Sequence, residues 1–270
     1  MNRAIILKTV RDTLPILLVV CAAIVLLETL FVCVLGQFSK EMEFILQNPI
    51  FQRFSRVLLG SQLGGATSST SFLAFGFAHP LLFALTWAFI LTNCTRVLAG
   101  EIERGTADLL LTLPVSRGGV FTSVSVVCVG AGIPVCIAPL VGAWVGEIVS
   151  PLDEPLVFSK LAMLAVNLFA LYLAIACATL FISTLVSRRG PVVIAMIAWL
   201  LGSFLLTFLS QFFTIADWLS MFGFVHYYRP LPVVRSGDWP IGHMATLVVA
   251  AAAFWVTGYT LFARRDIPAA

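Results

Sequence analysis

The sequence predicts an all-α polytopic membrane protein with six transmembrane helices. Of its 270 residues 60% are hydrophobic and only 11% are charged, whereas charged residues make up roughly 25% of a typical soluble domain. A helix needs about 20 apolar residues to cross the hydrocarbon core of a bilayer, and six stretches are long enough. They lie at about 15–36, 72–97, 120–145, 161–186, 191–209 and 241–263. Their continuous apolar character favours helices over the short alternating strands of a membrane β-barrel. No stretch reads as a linker between domains, so we expect one domain over 1–270.

The residues before the first span predict a short amphipathic helix on the membrane surface. Four apolar residues share one helical face, Ile6, Leu7, Val10 and Leu14, and three charged residues share another, Lys8, Arg11 and Asp12. Helices that lie along a bilayer have this pattern. Pro15 is well placed to start the span that follows. The apolar run is too long for a secretory signal, and no small-residue cleavage pattern closes it, so we expect a retained anchor.

The basic residues predict the orientation of the six spans. With the N-terminus inside, ten of the 16 Lys and Arg residues fall in inner segments and six in outer ones. Basic residues are enriched in cytoplasmic loops. We therefore expect both termini in the cytosol.

The outer segments differ in character. The first ends in a tract of small residues, 60–71, which is typical of a flexible connector. The second, at 147–160, contains Pro151 and Pro155 and predicts a solvated turn. The third, at 211–240, is broken and rich in aromatic residues, and Tyr and Trp favour the headgroup level of a membrane. We expect short re-entrant or interfacial helices there; an ordinary aromatic belt around a loop is the alternative.

The third span contains many glycines and prolines. Gly142 and Gly146 form a small-x-x-x-small pair, which allows close approach of another helix. Pro134 and Pro139 are tolerated in membrane helices where neighbours satisfy the freed backbone groups. Two interpretations are equally favoured: a helix that flexes, and a fixed kink that improves packing.

Charged and amide side chains are few inside the spans. Glu28 lies within the first, where a carboxylate at mid-bilayer costs roughly 2.5–3.5 kcal/mol. It either lines a translocation path or titrates, or it is partly hydrated or hydrogen-bonded to a neighbouring helix. For Asn93 and Asn167 we expect hydrogen bonds between helices. The six cysteines have no metal-ligand or disulfide pattern and are expected to be small core residues.

A charged island at 101–117 separates the second and third spans. Glu101, Arg104 and Asp108 share one helical face, and Leu109 and Leu113 share the opposite one. From this pattern two functions are equally favoured. The island is either a helix whose leucines enter lipid, or a docking helix whose leucines enter a groove on a cytosolic protein.

The island resembles the E-x-x-x-G-T-x-x-x-L-L-x-x-P-[VL]-[ST]-R signature of ABC-2 type transporter permeases. The matching residues are Glu101, Gly105, Thr106, Leu110, Leu111, Pro114, Val115, Ser116 and Arg117. The layout of six spans and the aromatic stretch at 224–230 are also similar to that family. In the family the island is a coupling helix, which implies docking on an ATP-binding subunit. The docking residues so implied are Glu101, Glu103, Arg104, Gly105, Thr106, Leu109, Leu110, Leu111, Pro114 and Arg117.

The resemblance also implies the partners. Two permease copies, identical or related, would assemble with two ATPases in a prokaryotic cytoplasmic membrane and work as an exporter. The sequence contains no Gly-Lys dipeptide and hence no G-x-x-x-x-G-K-[ST] phosphate-binding loop. We therefore expect no cofactor on this chain, with ATP and Mg²⁺ in the partner subunit, and no enzyme activity of its own.

Two other classes of function stay open. An ion-driven transporter or channel would use Glu28 as the residue that interacts with the ion. A membrane-integral enzyme would need paired catalytic residues. The three histidines show no ligand or catalytic spacing. Basic residues do not cluster with aromatic residues on a soluble face, so we expect lipid and not nucleic acid as a partner.

Overall fold

The computed structural model describes residues 3–37, 68–103, 116–186, 188–210 and 212–264, with only the backbone at 97–103. These ranges are helical and contain no β-strand. In chain order the helices are α1 (Arg3–Gln37), α2 (Ser69–Ala78), α3 (Pro80–Glu103), α4 (Arg117–Val149), α5 (Phe158–Leu185), α6 (Arg189–Leu209), α7 (Thr214–Ser220), a 3₁₀ turn (Phe224–Tyr227), α8 (Pro230–Ser236) and α9 (Ile241–Arg264).

Within the described ranges, five helices are long and apolar enough to cross a membrane: α1, α4, α5, α6 and α9. The predicted second span is instead two helices, α2 and α3, which are bent by 42° at their junction. His79 at the junction is extended, with φ −67° and ψ 136°. Pro80 is the cause, because proline disfavours the helical conformation in the residue before it and lacks a backbone N–H. Only if the bent pair crosses as one unit does the structure have six spans.

The prediction that a separate helix precedes Pro15 was wrong. Residues 3–14 are the first turns of α1, which continues through Pro15 without interruption. The predicted apolar face lies on the outside of the bundle, because the Leu7 and Leu14 side chains are 58% and 46% exposed. The opposite face is held by packing, since Ile5, Thr9 and Thr13 are buried. Contacts with the other helices therefore extend one helix where the sequence pattern suggested two.

Helix α5 lies at the centre of the bundle. In its apolar window 78% of the residues are buried, compared with 22% in α1, α6 and α9. Its Tyr172 is fully buried and donates a 2.7 Å hydrogen bond to the carbonyl of Cys128 in α4. The Tyr172 ring lies against Gly132, where a Cβ atom would overlap it. The core thus forms around a tyrosine whose hydroxyl finds a backbone acceptor, as buried Tyr requires.

Helices α1 and α4 approach closely, and the predicted glycine pair is the reason. A Cβ atom at Gly142 would overlap the backbone of Val25, and one at Gly146 would overlap the side chain of Val32. The Thr29 hydroxyl donates a 3.1 Å hydrogen bond to the Gly142 carbonyl across the same interface. The small-x-x-x-small prediction is confirmed. Helix α4 runs through both prolines as one helix.

Two predictions about the outer loops were partly wrong. The small-residue tract ends in structure: Ser68 caps α2 by accepting a 3.2 Å hydrogen bond from the Ser71 amide, a usual role for serine. The segment between α4 and α5 is no plain solvated turn. Leu156 is buried, and its amide donates to the Glu147 carboxylate at 2.8 Å.

The aromatic segment before α9 forms the short helices that the sequence predicts, namely α7, the 3₁₀ turn and α8. Pro230 begins α8, and Gly237 ends it in the left-handed region with φ 73°, as is common at helix ends. The prediction of short helices is confirmed. Their re-entrant or interfacial placement stays a prediction.

Candidate functional site

The charged island connects α3 to α4. The backbones of Glu101 and Glu103 lie in the last turn of α3, and Arg117 begins α4 with a partly buried side chain. The other proposed docking residues lie outside the described residues: Arg104, Gly105, Thr106, Leu109, Leu110, Leu111 and Pro114. The described helices therefore define the two ends of the island, and the docking assignment stays a prediction.

The end of α3 that leads into the island is tied to α1. An Arg96 Nη atom donates a 2.7 Å hydrogen bond to the backbone carbonyl of Asp12, and the two side chains lie 4.0 Å apart. One turn earlier, the Thr13 hydroxyl donates to the Asn93 side-chain oxygen at 2.7 Å. The predicted interhelical hydrogen bond of Asn93 is therefore confirmed.

The same end of α3 is also tied to α6. The Arg189 Nε atom donates a 3.0 Å hydrogen bond to the Thr95 hydroxyl, which in turn donates to the Leu91 carbonyl at 2.6 Å. We call these contacts the island clamp, formed by Asp12, Thr13, Asn93, Thr95, Arg96 and Arg189. The clamp therefore joins the end of α3 to both α1 and α6.

Glu28 lies far along α1 and is completely buried. Its carboxylate faces Gly76 of α2, and its stem lies against Gly142 of α4; a Cβ atom at either glycine would overlap Glu28. Neither carboxylate oxygen has a hydrogen-bond partner among the described residues. The interpretation of Glu28 as hydrogen-bonded to a neighbouring helix was wrong for the described residues, and its partial hydration stays a prediction. Because Gly76 and Gly142 have no side chain, the Glu28 side chain fits between α1, α2 and α4.

Asn167 differs from Asn93. It is fully buried in α5, and neither its amide nitrogen nor its oxygen has a hydrogen-bond partner in the described part of the chain. The predicted interhelical hydrogen bond of Asn167 was therefore wrong.

A polar cluster in the short helices was not predicted from the sequence. The buried Ser220 hydroxyl donates to the Asp217 carbonyl at 2.7 Å and lies 2.7 Å from His226 Nδ1. The Ser220 hydroxyl and the His226 ring therefore share a hydrogen bond whose donor depends on the His226 tautomer.

Arg229 completes this cluster. Its Nε atom donates to the His226 carbonyl at 3.1 Å, and an Nη atom lies 3.3 Å from His226 Nε2. Burial and then the Arg229 charge lower the pKa of His226 below 6.5, against an opposing effect of Asp217. This shift favours the neutral form of His226, which holds α7 to the 3₁₀ turn through its contact with Ser220. The i, i+3 spacing of His226 and Arg229 was the available sequence signal.

Comparison of the sequence with known protein families identifies the family to which the chain belongs. The profile of the family described as "Multidrug efflux system permease Rv1217c, C-terminal domain" matches residues 10–263. The chain belongs to this family. It is an integral, multi-pass membrane permease domain, in agreement with its long apolar helices. The matched range of the permease domain includes Glu28, the island and the short helices. The comparisons with curated proteins and with solved structures gave no match.

Proposed function

We propose that this permease domain is the membrane subunit of an ATP-driven, ABC-2 type exporter, whose ATP hydrolysis takes place in a separate subunit. The observation that carries the proposal is the ABC-2 signature at 101–117 within a domain of a family named for multidrug efflux. The transported compounds would be small organic molecules of more than one kind. The assembly would contain two permease domains, identical or related, in a prokaryotic cytoplasmic membrane with the termini in the cytosol.

The proposed mechanism starts at the island. Leu109, Leu110 and Leu111 would enter a groove on the ATP-binding subunit, and Glu101 and Arg104 would fix the orientation. Closure of two ATPases on ATP would pull on both islands of the dimer. Since α3 leads into the island and α4 leads out of it, the pull would act on both helices at once. The island clamp would pass it to α1 and α6.

The test is affinity purification of the tagged chain from its native membrane in mild detergent. The wild-type chain is expected to co-elute with a P-loop ATPase in stoichiometric amount. Changing Leu109, Leu110 and Leu111 together to Asp should abolish this association while the chain stays in the membrane. The control is Ile215→Asp, which places a carboxylate at a 77% exposed apolar position of α7 and should retain the ATPase.

Two results would contradict the proposal. A wild-type chain that elutes without a nucleotide-hydrolysing protein would make the island a lipid-surface helix. Loss of the triple variant from the membrane, with Ile215→Asp retained, would make the leucines structural.

A second function is favoured by one observation only. Glu28 is a fully buried carboxylate without a hydrogen-bond partner in the described residues, and such groups mark ion pathways in many transporters. Transport by right-side-out and inverted vesicles distinguishes the two. An ATP-driven exporter works without an ion gradient when its ATPase is present, whereas an ion-driven transporter stops when the gradient is collapsed.

A further inference from the structure

A cavity of about 280 Å³ opens between the α2–α3 bend, the end of α6 and the short helices. Five aromatic side chains, from four different segments, line it: Phe75, Phe83, Phe204, Phe208 and Tyr228. Ligand pockets in proteins typically have volumes of about 300–1,000 Å³ and mostly apolar walls. This cavity lies just below that range, which suits a molecule of one or two rings.

The aromatic walls are held by each other. The Phe83 ring stands edge-on to Tyr228 at 5.7 Å and to Phe204 at 6.3 Å, and it stacks on Trp87 at 5.4 Å. The Tyr228 hydroxyl donates a 3.1 Å hydrogen bond to the Phe77 carbonyl in the last turns of α2. Walls fixed in this way lose little conformational freedom when a ligand enters.

The cavity also has a polar end, which Thr207, Ser210, Asp217 and Arg229 line. The two charged groups there differ in what they already contact. The Arg229 guanidinium donates to the His226 carbonyl at 3.1 Å and lies against the His226 ring. The half-buried carboxylate of Asp217 has no hydrogen-bond or ion-pair partner among the residues described. Arg229 keeps its positive charge, because a carbonyl does not neutralise a guanidinium, so this end carries one charge of each sign. Of the two groups, the Asp217 carboxylate is the one for which the described residues provide no partner, and it is therefore the acceptor left for a ligand.

We propose that this cavity binds organic cations that carry an aromatic ring, with Asp217 as the counter-charge. The electron-rich faces of the five rings attract a cation, and a flat ring of the ligand can stack on them. A hydrocarbon chain of a lipid would fill the aromatic part but leave the Asp217 carboxylate unpaired. The role of the cavity as a substrate site rests on the proposed export function; its ligand class rests on the lining alone.

Binding is measured on the full chain in phosphatidylcholine nanodiscs, without nucleotide. Three molecules of almost the same shape and different charge serve as probes at pH 7.5: 1-methyl-4-phenylpyridinium, neutral 4-phenylpyridine and anionic biphenyl-4-carboxylate. The cation is expected to bind most tightly. Asp217→Asn should weaken its binding roughly two- to fivefold, in the range of a partly exposed ion pair, and should leave neutral 4-phenylpyridine unchanged.

Two further variants complete the experiment. Phe204→Ala should weaken the cation and the neutral probe together, because it removes a wall. Asp238→Asn neutralises an exposed acid that does not line the cavity and should bind all three probes as the wild type does. Equal elution volumes and melting temperatures of the variants show that each has folded.

Three outcomes would overturn the proposal. One is tightest binding of the anion, which would assign the polar end to Arg229. Another is binding of the cation that Asp217→Asn and Asp238→Asn weaken equally. The third is no binding of any probe, as expected for a cavity filled by lipid. This result does not depend on the ATPase. Cation binding by a chain that recruits no ATPase would contradict the proposed export function and support the binding site. Recruitment of an ATPase by a chain that binds no cation would support the export function and contradict the binding site.

Discussion

Arg96 and Asp12 are joined through the backbone more closely than through their charges. The Arg96 guanidinium donates to the Asp12 carbonyl at 2.7 Å, whereas the nearest carboxylate oxygen of Asp12 is 4.0 Å away. Both side chains are more than one-third exposed, and exposed ion pairs contribute only about 0–1 kcal/mol. The contact that ties α3 to α1 at the island end is therefore the hydrogen bond to the carbonyl.

This relationship predicts unequal effects of two substitutions. Arg96→Ala removes a charge-assisted hydrogen bond and should lower the free energy of unfolding by about 1–2 kcal/mol. Asp12→Asn leaves its carbonyl in place and should cost less than about 0.5 kcal/mol. Thermal unfolding of both variants in the same detergent measures the difference. Equal losses would show that the ion pair, and not the carbonyl contact, holds the two helices.

The Gly132–Tyr172 contact predicts opposite effects of the same substitution at two nearby glycines. Gly132→Ala places a methyl group against the fully buried Tyr172 ring and should destabilise the chain by about 1–3 kcal/mol. Gly130→Ala is the control, since a Cβ atom there meets nothing within 4 Å. As a helical glycine it should be neutral or stabilising by up to about 1 kcal/mol. Melting temperatures that fall equally for both would contradict the packing of Tyr172.

Replacement of the buried Glu28 carboxylate is predicted to raise the stability of the chain and to lower transport. Glu28→Met keeps the length of the side chain and removes two buried oxygens without partners among the described residues, so it should raise the free energy of unfolding by about 1–3 kcal/mol. If Glu28 serves transport, the same variant should lower export of an organic cation in cells at equal membrane abundance.

Leu30→Met is the matched control for Glu28→Met, because Leu30 is 53% exposed on the same helix. It should change neither stability nor export. A Glu28→Met chain that is more stable and exports normally would leave Glu28 without a role in transport. One that is less stable would show that the carboxylate has partners.

His226 predicts a pH dependence of the short helices. Its pKa is lower in the folded chain than the 6.5 of an ordinary histidine, so the unfolded segment binds the proton more readily. Stability of this region is therefore full above pH 6.5 and is lost as the pH falls below it. Hydrogen exchange of the amides at 214–236, corrected for intrinsic rates, should show weaker protection at pH 5.5 than at pH 7.5. His226→Gln should remove this difference; a difference that persists would assign it to another group.

The sequence predicted well what depends on local pattern. Apolar length located the five long helices, and the spacing of Gly142 and Gly146 identified the face on which α1 approaches α4. The break at Pro80 carried a local signal that was missed, because the uniformly apolar run 72–97 resembles one span. Ser68 was likewise a capping serine inside a tract that reads as a connector.

Contacts between distant segments could not be predicted in the same way. Arg96 and Asp12 are 84 residues apart, and helical periodicity does not say which helix lies beside which. The continuity of α1 through Pro15 has the same cause, since it follows from contacts with other helices. The cavity is formed by four segments that are distant in sequence, and its lining includes Phe75 before the bend at His79 and Phe83 after it.

The unequal burial of the helices sets two different rules for which residues each position will accept. On the outward side of α6, where Ile194 is 69% and Leu205 56% exposed, any side chain that dissolves in lipid serves, and a library of apolar residues should be largely interchangeable. On α5, Leu161, Leu164 and Tyr172 are fully buried. Members of the same library would be accepted there only where the shape of the side chain fits its neighbours. The two helices have nearly the same mean hydropathy, 2.5 and 2.3. The exposed positions of α6 are nevertheless constrained only by solubility in lipid, whereas the enclosed positions of α5 are constrained by the shape of their neighbours.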